Sequence, residues 1–263
     1  MEKRSNLLRE EPAEADVSLW MEALVGIDIV RLHTSPVFYG WGVPRGDGSG
    51  AVLIPGFLLP DVYLAEMHGW LRRIGYSPYL SGIRINANCP NILIKQRLNE
   101  TIERACAETG GKIHLIGHSL GGVMARAIAS QRPENIASVI SLASPFRGTV
   151  AHRSVLMAAK TVRAGIWLKQ DPAVLPECYT GRCTCDFLDA LRRDLPASVY
   201  ETAIYTQSDG VVDWRYCVTD NPALNFEVPG THIGLALNPA VYSIIAARLG
   251  ESASHCSLRS KPS

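Results

Sequence analysis

Ile113-His114-Leu115-Ile116-Gly117-His118-Ser119-Leu120-Gly121-Gly122 reads as a short buried strand, a tight turn and the start of a helix. At the turn it spells G-x-S-x-G. That pattern sets a serine on a strained strand-to-helix elbow, with its hydroxyl exposed at the carboxyl end of a sheet. Gly117 and Gly121 are expected where a side chain would collide with neighbouring backbone, and Gly122 where the helix must start close to the strand. So short a pattern also arises by chance. Here an apolar run precedes it and an alanine-rich stretch, Val123 to Ser130, follows it. These supply the strand and helix the elbow requires, so Ser119 is read as a nucleophile.

Outward from the elbow, short apolar runs alternate with helical stretches. Ala51-Val-Leu-Ile-Pro55 is a strand that breaks into the turn Pro55-Gly56-Phe57. Asp61 to Ile74 follows as a helix, with Asp61 as N-cap and Gly75 as its stop. Ser77 to Ile85 is a candidate strand, and Asn91 to Thr109 a longer helix closed by Gly110-Gly111. Ile136 to Ala143, Val199 to Thr206 and Asn225 to Val228 are the remaining strands, and Pro239 to Leu249 is a closing helix. The alternation predicts an α/β fold with a mostly parallel central sheet covered by helices on both faces. Upstream, Leu19, Trp20, Ala23, Leu24, Ile27 and Val30 recur near helical spacing within Val17 to Leu32. An amphipathic helix packed on the domain is expected. Contact with a membrane surface is disfavoured because its polar face is not rich in lysine or arginine.

Phe146 to about Pro196 breaks the rhythm. Two helical stretches, Val155 to Leu168 and Phe187 to Arg193, flank Pro172, Pro176 and a cysteine cluster. Long insertions in compact domains are often lids, so 146–196 is read as a cap within one domain spanning 1–263. Residues 251–263, rich in serine, are expected to be a disordered tail.

Bulk properties exclude several functions. A formal net charge of +1 with no long basic run argues against an electrostatic nucleic-acid surface. No apolar run reaches the ~18–20 residues of a membrane-spanning helix, although peripheral membrane contact stays open. Met1 to Asp16 carries both signs of charge and no apolar core, so it is not a secretory signal. A cytoplasmic location is expected, provided the chain begins at its natural start. Seven cysteines include the cluster Cys178, Cys183 and Cys185, which lacks the paired spacing of a metal site. Free thiols are expected, with a local disulfide or one to Cys217 as the alternative.

A serine hydroxyl needs a base within hydrogen-bond reach, and the base needs an orienting acid. On this architecture both follow the elbow, acid first. Three histidines do so: His152, His232 and His255. His255 lies in the tail and His152 at the start of the cap. His232 sits in Pro229-Gly-Thr-His-Ile-Gly234, just after the last strand, and is the candidate base. Asp209, in Ser208-Asp-Gly-Val-Val-Asp213, lies at the carboxyl end of a strand and is the favoured acid; Asp213 is its rival. Asp186, Asp189 and Asp194 read as cap surface. For the developing oxyanion the expected donors are the backbone N–H groups of Leu120 and Phe57. Leu58 and Leu59 would begin an apolar wall for an acyl group, and Trp167 is a candidate contact from the cap. Val155, Leu156, Ile166, Trp167 and Leu168 also fit the cap's own core.

Taken together, Pro55-Gly56-Phe57, Gly117 to Gly122, Ala143-Ser144-Pro145 with Gly148-Thr149, Ser208 to Val212 and Gly230-Thr231-His232 resemble the α/β-hydrolase superfamily. The resemblance is to its bacterial lipase and esterase branch, with the small triacylglycerol lipases and PGAP1-like hydrolases. It runs from about Arg45 to Leu249. It implies Ser119 as nucleophile, Asp209 as acid, His232 as base, Phe57 and Leu120 as oxyanion donors, and no metal or cofactor. The expected activity is serine-dependent hydrolysis of a small-molecule or lipid ester. Acyl transfer or thioester cleavage on the same triad, and a non-catalytic binding protein of the same fold, are the alternatives. Two positions depart from the pattern. Many relatives carry His-Gly where this chain has Pro55-Gly56, and Arg147 stands where a small residue is expected. Oligomeric state is not legible.

Overall fold

The computed structural model describes residues 12–169 and 184–259, with side chains to residue 252. A two-residue strand β1 (Ala13–Glu14) leads into a 3-10 turn (Leu19–Leu24) and helix α1 (Val25–Thr34). Strand β2 (Gly50–Ile54) enters the core and is followed by a 3-10 turn (Asp61–Leu64) and α2 (Ala65–Ile74). After β3 (Ser77–Leu80), the segments Pro90–Leu93, Ile94–Leu98 and Asn99–Thr109 run on as α3, the middle one as a π turn. Then come β4 (Ile113–His118), α4 (Leu120–Gln131), β5 (Ile136–Leu142), β6 (Val150–Ala151), α5 (Arg153–Leu168) and α6 (Asp186–Arg192). Strands β7 (Tyr200–Tyr205) and β8 (Asn225–Glu227) and helix α7 (Pro239–Arg259) are the last strands and helix of the described residues.

Six strands form one sheet in the order β3-β2-β4-β5-β7-β8, every pair parallel. Alternation along each strand divides two cores. Val52, Ile54, Ile113, Leu115, Val139 and Ala203 pack with α3, α4 and α6 on one face. Ala51, Leu53, Ile116, Ile140, Leu142 and Ile204 pack with α2 and α7 on the other. Both faces are covered, which is why the strands read as unbroken apolar runs. Parallel strands also bring all their carboxyl ends to one edge, and the loops bearing Ser119, Asp209 and His232 leave from that edge.

Several expectations are corrected. Asp61 caps no helix: Oδ1 accepts from Ser81 Oγ (2.5 Å) and Oδ2 from Gly82 N–H (2.8 Å). That clasp ends the third strand at Leu80 rather than Ile85. The closing helix runs past Leu249 to Arg259, so 251–259 is helical and not a disordered tail; Ser252 is buried, its hydroxyl donating to Leu249 O (2.8 Å). Helix α6, expected in the cap, belongs to the body, because Phe187, Ala190 and Leu191 sit in the same core as α4. Within the cap span, α5 stands apart, with Val155 and Leu156 against Val212 and Cys217. Cys178 and Cys183 lie outside the described residues; Cys106 and Cys217 are free thiols.

The largest surprise is the N-terminal helical segment. Its apolar stripe faces solvent, with Trp20 67% and Val30 62% exposed. The residues it buries are Glu22, Asp28 and Leu32. No described helix is long and apolar enough to cross a membrane.

Candidate active site

Ser119 sits between β4 and α4 with φ 52° and ψ −123°. That is strained backbone for a serine, costing of order 1–3 kcal/mol, and it persists because its surroundings fix it. The glycines around it explain how. A Cβ on Gly117 would lie 2.3 Å from the Gly121 carbonyl carbon, and one on Gly121 would lie 2.1 Å from the Ile54 carbonyl oxygen. A Cβ on Gly122 would lie 2.0 Å from Ser144 Oγ. Helix α4 therefore starts in backbone contact with β2 and β4, and Ser119 N–H donates to Leu142 O (2.7 Å) across the sheet.

The loop after β2 folds back over the elbow. Leu58 N–H donates to Asn86 O (2.8 Å) and Leu59 N–H to Gly56 O (3.1 Å). Asn86, buried, donates from Nδ2 to Pro55 O (2.8 Å) and so clamps the loop from the β3 side. Phe57 N–H has no hydrogen bond among the described residues, and Leu120 N–H is one of the free donors that open a helix. Both are thus free to meet an anion. A Cβ on Gly56 would lie 3.0 Å from Ser119 Cβ, so this turn borders the serine directly. Leu59 is half-buried and Leu58, at φ 61°, is largely exposed. Trp167 is 65% exposed near the end of α5.

Asp209 and His232 meet as the sequence reading expects. His232 Nδ1–H donates to Asp209 Oδ2 (2.7 Å), with both residues buried. Asp209 Oδ1 accepts from Val211 N–H and Val212 N–H (2.8 Å each), which fixes the carboxylate. The rival Asp213 instead caps the next turn, accepting from Arg215 N–H (3.0 Å). His152 caps α5, its Nδ1 accepting from Ser154 N–H (3.2 Å). Arg147 pairs with Asp220 (3.1 Å). Burial opposes the charged His232 imidazolium, but the charge and hydrogen bond of Asp209, helped by Glu22, outweigh it and raise its pKa above the ordinary value.

His118, before the serine, packs its ring on that of His232 (centroids 4.9 Å apart) and donates from Nε2 to the His232 carbonyl (2.9 Å). Burial and the nearby His232 push its pKa down to about 3, so it stays neutral. Tyr63 OH donates to Ile233 O. From the N-terminal segment, Glu22 accepts from Gly210 N–H, His232 N–H and Ile233 N–H. Sequence reasoning missed His118, Tyr63, Asn86 and Glu22 as parts of the site. The one available sign of Glu22 is a pair of acids, Glu22 and Asp28, within an otherwise apolar helical stretch.

A parallel sheet flanked by helices, with a strained serine at an elbow and a buried Asp-His pair on the loops beyond, defines the α/β-hydrolase class. The sequence profile of the palmitoyl protein thioesterase family matches residues 64–202, more than half of the 263-residue chain. The chain belongs to that family. The matched stretch contains Ser119 and ends before Asp209 and His232. The chain is also similar to a triacylglycerol lipase of Pseudarthrobacter phenanthrenivorans, 35% identical over 72 residues; these are 27% of this chain and 23% of the lipase, less than a quarter of its length. Among solved structures, lipase B of Aspergillus fumigatus superposes with a TM-score of 0.56 at 19% identity, covering 78% of this chain and 54% of that one. A monoacylglycerol lipase of Paleococcus ferrophilus gives a TM-score of 0.50 at 15% identity, covering 78% and 97%. At these identities the structures bear on the fold.

Proposed function

We propose that the chain is a serine-dependent hydrolase of an acyl ester, with Ser119, His232 and Asp209 as its triad. The buried Asp209–His232 hydrogen bond carries this reading. It engages Nδ1 and so leaves Nε2 as the nitrogen that can take the proton of the Ser119 hydroxyl. Ser119 Oγ attacks the acyl carbon as His232 accepts that proton, and the tetrahedral oxyanion is held by the N–H groups of Phe57 and Leu120. Collapse breaks the bond to the leaving oxygen, which takes the proton from His232. Water, deprotonated in turn by His232, then frees the acid and restores Ser119. Leu58 and Leu59 flank the oxyanion turn and suit an apolar acyl chain.

Replacing Ser119 with alanine should lower turnover of a p-nitrophenyl ester by roughly 10⁴-fold or more. Activity retained in a pure sample overturns the reading. A non-catalytic binding protein would show no labelling of Ser119 by a fluorophosphonate. The family match over residues 64–202 favours a second reading, a thioester as substrate. Comparing kcat/KM for an ester and a thioester of the same acyl chain separates the two. An added alcohol that outcompetes water for the acyl-enzyme would instead mark an acyltransferase.

A further inference from the structure

Glu22 is buried, and its carboxylate accepts three backbone N–H bonds from two loops distant in sequence. Oε1 takes Gly210 N–H (3.1 Å) and His232 N–H (3.0 Å), and Oε2 takes Ile233 N–H (2.9 Å). Gly210 directly follows Asp209, and Ile233 directly follows His232. One side chain thus ties the loop of the acid to the loop of the base. We propose that Glu22 is a positioning residue of the active site, holding Asp209 and His232 at hydrogen-bonding distance. The proposal rests on the triad reading above and adds to it a group from outside the segment that matches the family.

Both loops are shaped to admit this segment. A Cβ on Gly210 would lie 2.6 Å from Ser18 O and 2.9 Å from Glu22 Oε1. A second carboxylate enters beside the first: Asp28 Oδ2 accepts from Thr231 Oγ1 (3.5 Å), and a Cβ on Gly234 would lie 1.9 Å from that oxygen. The segment is anchored in turn at β1, where Ala13 N–H donates to Thr149 O (3.0 Å) and Ala15 N–H to Ala151 O (2.9 Å). This accounts for the reversed helix, since the polar side is what the site needs buried.

Glu22 also acts on the base electrostatically. Against His232 stand Asp209 from the loop after β7, Glu22 from the N-terminal segment and His118 from β4, while Asp28 of that segment and Tyr63 from the turn before α2 bond its chain neighbours Thr231 and Ile233. His118 and Tyr63 are neutral, the first lowered and the second raised chiefly by burial. The negative charge of Glu22 favours the protonated imidazole. Its removal lowers the pKa of His232, so the base stays active to lower pH.

The test is Glu22→Gln, with kcat, KM and the rate of fluorophosphonate labelling of Ser119 measured against pH. The expected result is a kcat lowered roughly 10- to 100-fold with KM little changed, and an acid limb displaced to lower pH. Glu22→Asp keeps the charge but shortens the reach. It should lose rate while keeping the wild-type acid limb. Wild-type rates and limb in a folded Glu22→Gln overturn the proposal, as does a rate loss without any shift of the limb. Should Glu22→Gln fail to fold, Glu22→Asp decides, and a wild-type rate there overturns the proposal. Wild-type protein that Ser119-directed fluorophosphonate does not label would instead sink the triad reading.

Discussion

The two sides of the site are held by different forces. On the nucleophile side, backbone meets backbone: Gly117, Gly121 and Gly122 bring α4 against β2 and β4 with no room for a methyl group. On the base side, the loops after β7 and β8 are held by carboxylates, Asp209 from within and Glu22 and Asp28 from the N-terminal segment. The first arrangement, glycine against backbone, is steric, and substitution there has no remedy. The second is polar, so substitutions there should be graded, compensable and pH-dependent.

The sharpest way to break this contrast is Gly121→Ala. Its Cβ would stand 2.1 Å from the carbonyl oxygen of Ile54, whose strand is pinned to the elbow strand by the pairing of Ile54 with Gly117. A loss of about 3 kcal/mol or more in unfolding free energy is expected, read from the denaturant midpoint. No side-chain truncation nearby should restore it. A variant of wild-type stability would mean that the elbow yields. On the other side, Gly234→Ala meets the Asp28 carboxylate at 1.9 Å, the end of a side chain. Here Asp28→Ala in the same chain should recover part of the loss, with a coupling of about 1 kcal/mol in a double-mutant cycle. Simple additivity would show that Asp28 is not what fills that space.

The same contrast decides how much could be read in advance. Glycines that resolve a backbone collision leave a local signature, so the elbow, its flanking strands and the parallel sheet were legible from Gly117 to Gly122 and the apolar runs. Asp209 and His232 were legible because each closes a strand in the expected order. Glu22 was not, because its partners lie 188 to 211 positions away and no spacing rule connects a helix to loops that far along the chain. The apolar stripe from Leu19 to Val30 even argued for the wrong buried face. Periodicity reports which residues are apolar, and here the polar requirement of the site overrode it. Asp61 failed for a related reason: a local capping rule lost to a clasp on Ser81 and Gly82 twenty residues on.

Histidines sharpen the comparison at a smaller scale. His232, beside Asp209, is raised; His114, one strand turn before the elbow, has no carboxylate bonded to it. It lies buried between Ser49 Oγ (3.1 Å) and Ser138 Oγ (2.8 Å), and burial, only partly offset by Asp47, lowers its pKa to about 4. Between that value and the ordinary ~6.5 the unfolded chain binds a proton that the folded chain refuses. Stability therefore falls as pH falls through this window. His118, lowered to about 3, acts in the same sense. Replacing His114 with glutamine keeps polar contacts to the serines and removes one titrating group. The slope of thermal midpoint against pH between about 6.5 and 4 should then be shallower than in the wild type, whatever the midpoint at neutral pH. Equal slopes would mean that the folded protein protonates His114 as readily as the unfolded chain, so that its burial on the nucleophile side carries no pH dependence.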